Sequence, residues 1–360
     1  MRKDRIKLVW AAWACGLALV SGCTLGGRSY SILDLKTGQT VHVPRESCHR
    51  EVLLKTDDAT RSFHTLYLAN NHRDFVLRTV GYDGQVLKKR VFLPFASEYV
   101  ALYHVHQGYA LSPGGSSIAY LDKQTGCLRL FDVEGRTSRP LLLVAATNVV
   151  DIQDILWLSD RELLVAVDAE KPYAQILVVD VASGAVRVDL RPAARSLLFG
   201  VKTDGTYLVY RDNAWNWHGF RIYDLRKQAD VGELVPGTGM SFGFPRLAGN
   251  GDPRLFYVEK ARETDKHTLI VYDVAAKESK SLKSLHSPGY VRVLRVVRSK
   301  LFYETTPIIR HEGTRFVSFD WPRFFVWDIV TQEESEIKGV KTSGVVRVVD
   351  DGNRIIYECP

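Results

Sequence analysis

Few residues of this chain stand at spacings that could do chemistry. Gly239-Met240-Ser241-Phe242-Gly243 has the G-x-S-x-G spacing of a nucleophilic serine. That motif works on a sharp strand-to-helix turn; here Pro245 follows almost at once with no helical pattern behind it, so the match reads as coincidence. His104-Val105-His106 puts two imidazoles on one face of a strand. Such a pair could begin a metal site, which needs at least one or two further ligands. No Cys-x-x-Cys, His-Glu-x-x-His or calcium-loop pattern supports one, and no Walker or dinucleotide fingerprint occurs. No catalytic residue, metal or cofactor is therefore expected. His104 and His106 are the residues to inspect first under an enzymatic reading.

The thiols are informative by position. Five Cys in 360 residues are too few for a disulfide-built scaffold. Arg2, Lys3, Arg5 and Lys7 precede an apolar or small run from Leu8 to Val20. A run of about 13 residues is too short to cross a hydrocarbon core of about 30 Å, so it reads as an export signal. Leu19-Val20-Ser21-Gly22-Cys23 resembles the lipobox of bacterial lipoproteins, with Val20 where that family usually has Leu. The resemblance implies a signal peptide at 1–22, cleavage before Cys23, acylation of its sulfur, and a lipidated tether at 23–28. It also implies a place in the bacterial cell envelope, lipid-anchored through Cys23. Thr24, where Asp would signal retention, implies the outer membrane facing the periplasm in a Gram-negative host.

The rest of the chain repeats. An Asp preceded by apolar residues recurs as Asp34, Asp83, Asp132, Asp180, Asp224, Asp273 and Asp328, at gaps of 49, 49, 48, 44, 49 and 55 residues. Every preceding residue is Leu, Tyr, Phe, Val or Trp, and six of the seven that follow are aliphatic. The physics is a strand running into a hairpin, its Asp carboxylate accepting a backbone N–H two residues on. Gly38, Gly84 and Gly184 then supply positive φ. A second signature, a turn followed by an aliphatic strand ending in Tyr, precedes most copies; it carries Tyr67, Tyr120, Tyr210, Tyr257, Tyr303 and Tyr357. The third repeat has Leu164-Val165-Ala166-Val167 instead.

Four short strands in about 49 residues are the unit of a propeller blade. Ser112-Pro113-Gly114-Gly115-Ser116-Ser117-Ile118-Ala119-Tyr120, continued to Phe131-Asp132-Val133, resembles the repeat of TolB-like propellers and, more loosely, tryptophan-aspartate repeats. The resemblance spans 29–360 and implies an all-β, seven-bladed β-propeller with the Asp signature between strands c and d. The chain then opens with a c–d pair and ends with an a–b pair, which join in one shared blade. Cys48 and Cys359 fall on one rim of that blade, where export would permit a disulfide; two unpaired thiols are the alternative.

The connections b–c and d–a share the other feature of interest, a common face. The segment Trp215-Asn216-Trp217-His218 lies in one b–c loop, and Arg310, His311 and Arg315 lie in a long insertion at about Thr305 to Asp320. Large aromatic residues anchor interfaces and sugar rings. These six residues are the expected partner-binding elements. The expected function is a lipid-anchored envelope propeller that binds or scaffolds another envelope protein, or a glycan. The alternative is a propeller enzyme, of glycan lyase or hydrolase type, with a site at the central channel. The net charge of +7 falls to +4 when residues 1–22 leave, and its residues are spread rather than clustered, so a nucleic-acid partner is not expected.

Overall fold

A computed structural model describes residues 28–47, 51–69, 74–92, 109–122, 125–143, 151–168, 174–192, 201–210, 219–237, 240–243, 245–249, 252–261, 264–310, 317–342 and 346–359. The described backbone is strand and turn, with one 3-10 turn at Asp350–Gly352. It forms seven antiparallel blades, numbered I to VII: 52–92, 109–143, 151–190, 201–234, 240–286, 290–337, and the shared blade. In blade VII the order from the inside is Val346–Val349, Arg354–Glu358, Arg28–Asp34 and Thr40–Pro44, as the repeat count requires. Tyr30 pairs with Glu358, Ile32 with Ile356 and Asp34 with Arg354.

The buried apolar residues fall into seven clusters, each built from two neighbouring blades. Blades I and II share Leu66, Phe92, Tyr120 and Phe131, for example, and blades VII and I share Tyr30, Ile32, Phe63 and Ile356. A sheet apolar on both faces must be covered on both, and a closed ring does this for every blade.

Both repeat signatures have physical roles. Six of the seven signature Asp residues take backbone N–H bonds at the third residue on, five of them at the second as well; Asp34 accepts from Lys36 and Thr37 at 2.9 and 3.0 Å. Asp83 accepts from Gln85 at 3.0 Å. The residue four past the Asp turns to positive φ: Gly38 and Gly184, but also Arg136, Gln228, Lys277 and Gln332. Glycine is thus one solution at this position and four blades do without it. At Gly184 it is needed, because a Cβ would lie 2.5 Å from the Leu141 carbonyl oxygen of blade II. The signature Tyr rings are buried between blades and send their hydroxyls outward to polar groups: Tyr120 to Ser138 at 2.7 Å, Tyr67 to Glu46 at 2.6 Å, Tyr303 to Glu334.

Two departures from the repeat matter below. The inner strand of blade V is broken into Met240–Phe242 and Arg246–Gly249, which pair in turn along Asp252–Ala261. Ser241 lies in the first piece, its Oγ 3.4 Å from the Lys260 carbonyl oxygen, on a strand and not at a nucleophile turn. The insertion in blade VI, expected as loop, includes a small hairpin of Ile308–Arg310 and Val317–Phe319.

Closure is reinforced by charge. Arg78, on strand c of blade I, is fully buried. Its Nε and Nη2 donate to the two Glu51 carboxylate oxygens at 2.9 and 2.6 Å, and Nη1 donates to the Pro44 carbonyl at 3.0 Å. Thr65 also donates to Glu51, and Tyr30 Oη donates to its main-chain carbonyl at 2.8 Å. This network clips the end of blade VII to blade I. On the opposite face Asp58 of blade I accepts from Tyr82 Oη at 2.7 Å and from the Asp350 N–H at 2.8 Å, and Arg354 reaches Asp34 at 3.3 Å.

Deleting residues 350–360 is expected to lower the melting transition of the whole ring; an unchanged transition would refute closure through blade VII. Arg78→Met leaves Glu51 buried without its partner and should cost about 3–5 kcal/mol in equilibrium urea unfolding, with Glu51→Gln recovering part of the loss in the double variant.

Candidate functional site

In each blade the inner strand starts from the face that carries the d–a and b–c connections; the Asp turns lie on the other face. Inner strands of successive blades pack against one another around the axis. Their register with strand b shows which inner-strand residues correspond. Opposite the residue just before the signature Tyr stand Lys202 (against Val209), Arg246 (Phe256) and Arg347 (Ile356), while Asp154 (Ala166) and Arg292 (Glu304) stand two residues further from the Asp turns. Together these belong to blades III to VII. The corresponding residues of blades II and I are Ala110, against Ala119, and Val52, against Leu66. The channel is therefore charged along five blades and apolar along two.

The charged side chains feel one another. Lys202 Nζ lies 3.9 Å from Asp154 Oδ2, and Arg292 Nε lies 2.9 Å from Glu304 Oε1. Arg246 Nε donates to the Val293 carbonyl at 3.2 Å, and Arg347 Nη1 to the Val346 carbonyl at 3.1 Å. Burial raises the Asp154 carboxyl to about 6 despite Lys202, Arg347 and Arg246 nearby. Burial also lowers Lys202 to about 8; Asp154 opposes this, while Arg246, Arg347 and Arg292 add to it. Arg246 is pushed down to about 10 by burial and by Arg347 and Arg292, and stays charged at neutral pH. Arg347 is exposed at its surface, and desolvation along its length, with Arg292 beside it, lowers its pKa. With Asp154 ionised, four cations face two carboxylates.

The same face has exposed aromatic residues. Tyr290, at the start of the inner strand of blade VI, is 57% exposed, and Trp321, just before strand c, is 48% exposed. Lys260 Nζ sits 5.6 Å from the Tyr290 ring centroid.

Most residues singled out from sequence lie outside the described residues: Cys23, Cys48, His104, His106, Trp215, Trp217, His218, His311 and Arg315. The segment with Trp215 joins Tyr210 of strand b to strand c of blade IV, so both its ends emerge on the channel-mouth face. Arg310 ends the hairpin strand Ile308–Arg310, opposite Val317, in the b–c insertion of blade VI. Cys359 Sγ lies 3.1 Å from Ser31 Oγ. Sequence reasoning missed the axial ring. Its signal was available: residues 154, 202, 246, 292 and 347 recur at intervals of 48, 44, 46 and 55, close to the repeat itself.

No family model and no curated protein matches this chain. Solved structures do. An oligogalacturonate lyase from Vibrio parahaemolyticus aligns with 10% identity over 91% of this chain and 89% of its own, at a TM-score of 0.58. An oligogalacturonate lyase in complex with manganese aligns with 12% identity over the same shares, 91% and 89%, at 0.55. A putative TolB from Agrobacterium tumefaciens aligns more loosely, with 13% identity over 72% and 91%, at 0.43. Identities this low establish the propeller fold alone. Among the described residues no three His, Cys, Asp or Glu side chains group as metal ligands. The axial donors are mostly cationic and do not fit a manganese ion.

The pH dependence of stability follows from Lys202. Its pKa is lower in the fold than in the unfolded chain, so the unfolded chain binds more protons between about 8 and 10.5. Stability contributed by this residue therefore rises with pH across that window. Urea unfolding at both ends of it should show the wild type gaining about 1–3 kcal/mol relative to Lys202→Met; parallel pH profiles would count against a buried, charged Lys202.

Proposed function

We propose that the chain is a lipid-anchored propeller of the bacterial envelope that binds its partner or ligand on the channel-mouth face. The observation that carries this reading is the axial ring: charged side chains on the inner strands of five consecutive blades, four of them partly buried. Groups kept charged in such a place lower stability, and their retention is expected where binding needs them. The tether adds orientation. Five peptide links separate Cys23 from Arg28 and reach at most about 18 Å. Arg28 opens strand c on the channel-mouth face, so a lipid at Cys23 would keep that face near the membrane. Tyr290, Trp321, and the segments with Trp215, Trp217, His218, Arg310, His311 and Arg315 supply contact area around the mouth.

A second reading, a glycan lyase or hydrolase acting at the channel, is favoured by one observation. An amine with a pKa of about 8 beside arginines is suited to act as a general base next to a bound carboxylate. The named activity of the oligogalacturonate lyases is of that chemical kind.

In-cell crosslinking from position 215 or 310 should capture an envelope partner, and from Lys277 on the opposite face should not. Capture from Lys277 alone would overturn the choice of face. Cys23→Ser should move the protein from the membrane to the soluble fraction. Release of unsaturated uronate from galacturonate oligomers, lost in Lys202→Met, would favour the enzyme over the binding module.

A further inference from the structure

We propose that the channel mouth binds a compact phosphate dianion, as the free ion or as a phosphate monoester, among Lys202, Arg246, Arg292 and Arg347. The inference rests on the reading of the channel mouth as a ligand site, and it names the ligand chemistry.

Charge balance is the first argument. Glu304 pairs with Arg292, and Asp154 stands beside Lys202. Arg246 and Arg347 bond to main-chain carbonyls, and neither has a carboxylate partner among the described residues. Two positive charges are left over, Arg246 partly buried and Arg347 exposed beside it. A partly buried charge such as that of Arg246 is costly unless a counter-charge joins it.

Convergence is the second argument. Inner strands of blades IV to VII pack on one another in succession, and Arg246 Nε bonds to the Val293 carbonyl of the next strand, directly after Arg292. The four cations thus stand on adjoining strands, close enough for Arg246, Arg347 and Arg292 to lower the pKa of Lys202. A ligand with its charges spread along a chain, such as a carboxylated oligosaccharide, would be met by cations spaced out along its length. One group that concentrates the charge suits this ring better. A phosphate monoester carries about −1.5 to −2 and offers three strong acceptor oxygens. Guanidinium forks and a lysine ammonium are its usual partners.

The test is calorimetric titration of the purified full chain with inorganic phosphate, a hexose phosphate and trigalacturonate, and sedimentation with phosphatidylcholine vesicles with or without phosphatidic acid. Phosphate or its esters should bind at one site, and the arms distinguish free ion, soluble ester and lipid. Arg246→Met and Arg347→Met should each weaken binding about tenfold or more. Asp154→Asn removes a repelling charge and should tighten binding several-fold, a gain that misfolding cannot produce. Trigalacturonate binding without phosphate binding would overturn the ligand class while leaving the site. Absence of all anion binding, with crosslinking from the mouth face intact, would overturn the inference and leave the docking face standing. Loss of both would overturn both.

Discussion

Every blade of this protein has two apolar faces, and nothing but a neighbouring blade can cover them. That constraint organises the rest. The interior is seven separate layers rather than one core, and each layer is complete only when the ring is closed. The layer between blades VII and I therefore has a special status. It joins strands from the two ends of the described chain, and it is where the fully buried Arg78 clips the exit of blade VII onto Glu51. On the opposite face the Asp350 N–H bonds to Asp58, Arg61 pairs with Asp350 and Arg354 donates to the Tyr82 carbonyl, which holds the same seam from below.

Inside the ring the balance is reversed. The interblade layers gain from burial, whereas the axial ring concentrates like charge. Arg246, Arg347 and Arg292 push the pKa of Lys202 down, and Arg347 and Arg292 that of Arg246. A propeller tolerates this because its channel is bounded by the inner strand edges and lies apart from the layers that hold the blades together. Stability resides between blades, and chemistry can be placed on the axis at modest structural cost.

This division explains what was legible in the sequence. The Asp turns could be read because each is local: a carboxylate and the N–H groups two and three residues on. The signature Tyr could be read because its aliphatic strand follows a turn with a clear signal of its own. The blade count and the shared blade followed from both. The positive φ at Arg136, Gln228, Lys277 and Gln332 could not, because nothing in those residue types marks a left-handed position. Nothing local marks Arg78 as buried; only the approach of Glu51, distant in sequence, makes it a buried clip. The axial ring was hidden for the same reason. Val201–Thr203 and Val346–Val349 are strands of three and four residues with no turn signal of their own, and the approach of their charged residues is a property of the closed ring. The residues chosen from composition, the Trp and Arg loops, were found as conspicuous side chains, whereas the ring is conspicuous only as a pattern.

The shared blade also sets an order of events. The chain is made from its N-terminus, so the strand Arg28–Asp34 exists long before its neighbour Arg354–Glu358. The contact that finally joins them, Asp34 with Arg354, spans 320 residues of sequence. Until the last segment arrives, the first c–d hairpin presents an open strand edge and an uncovered apolar face. Such edges are templates for mispairing with other chains, and closing so long a loop is intrinsically slow. Six blades can assemble progressively, each on the one before, but the ring becomes a protein only at its final dozen residues. Its hazard during synthesis is thus placed at one predictable edge, which a chaperone would have to shield or a second copy could invade.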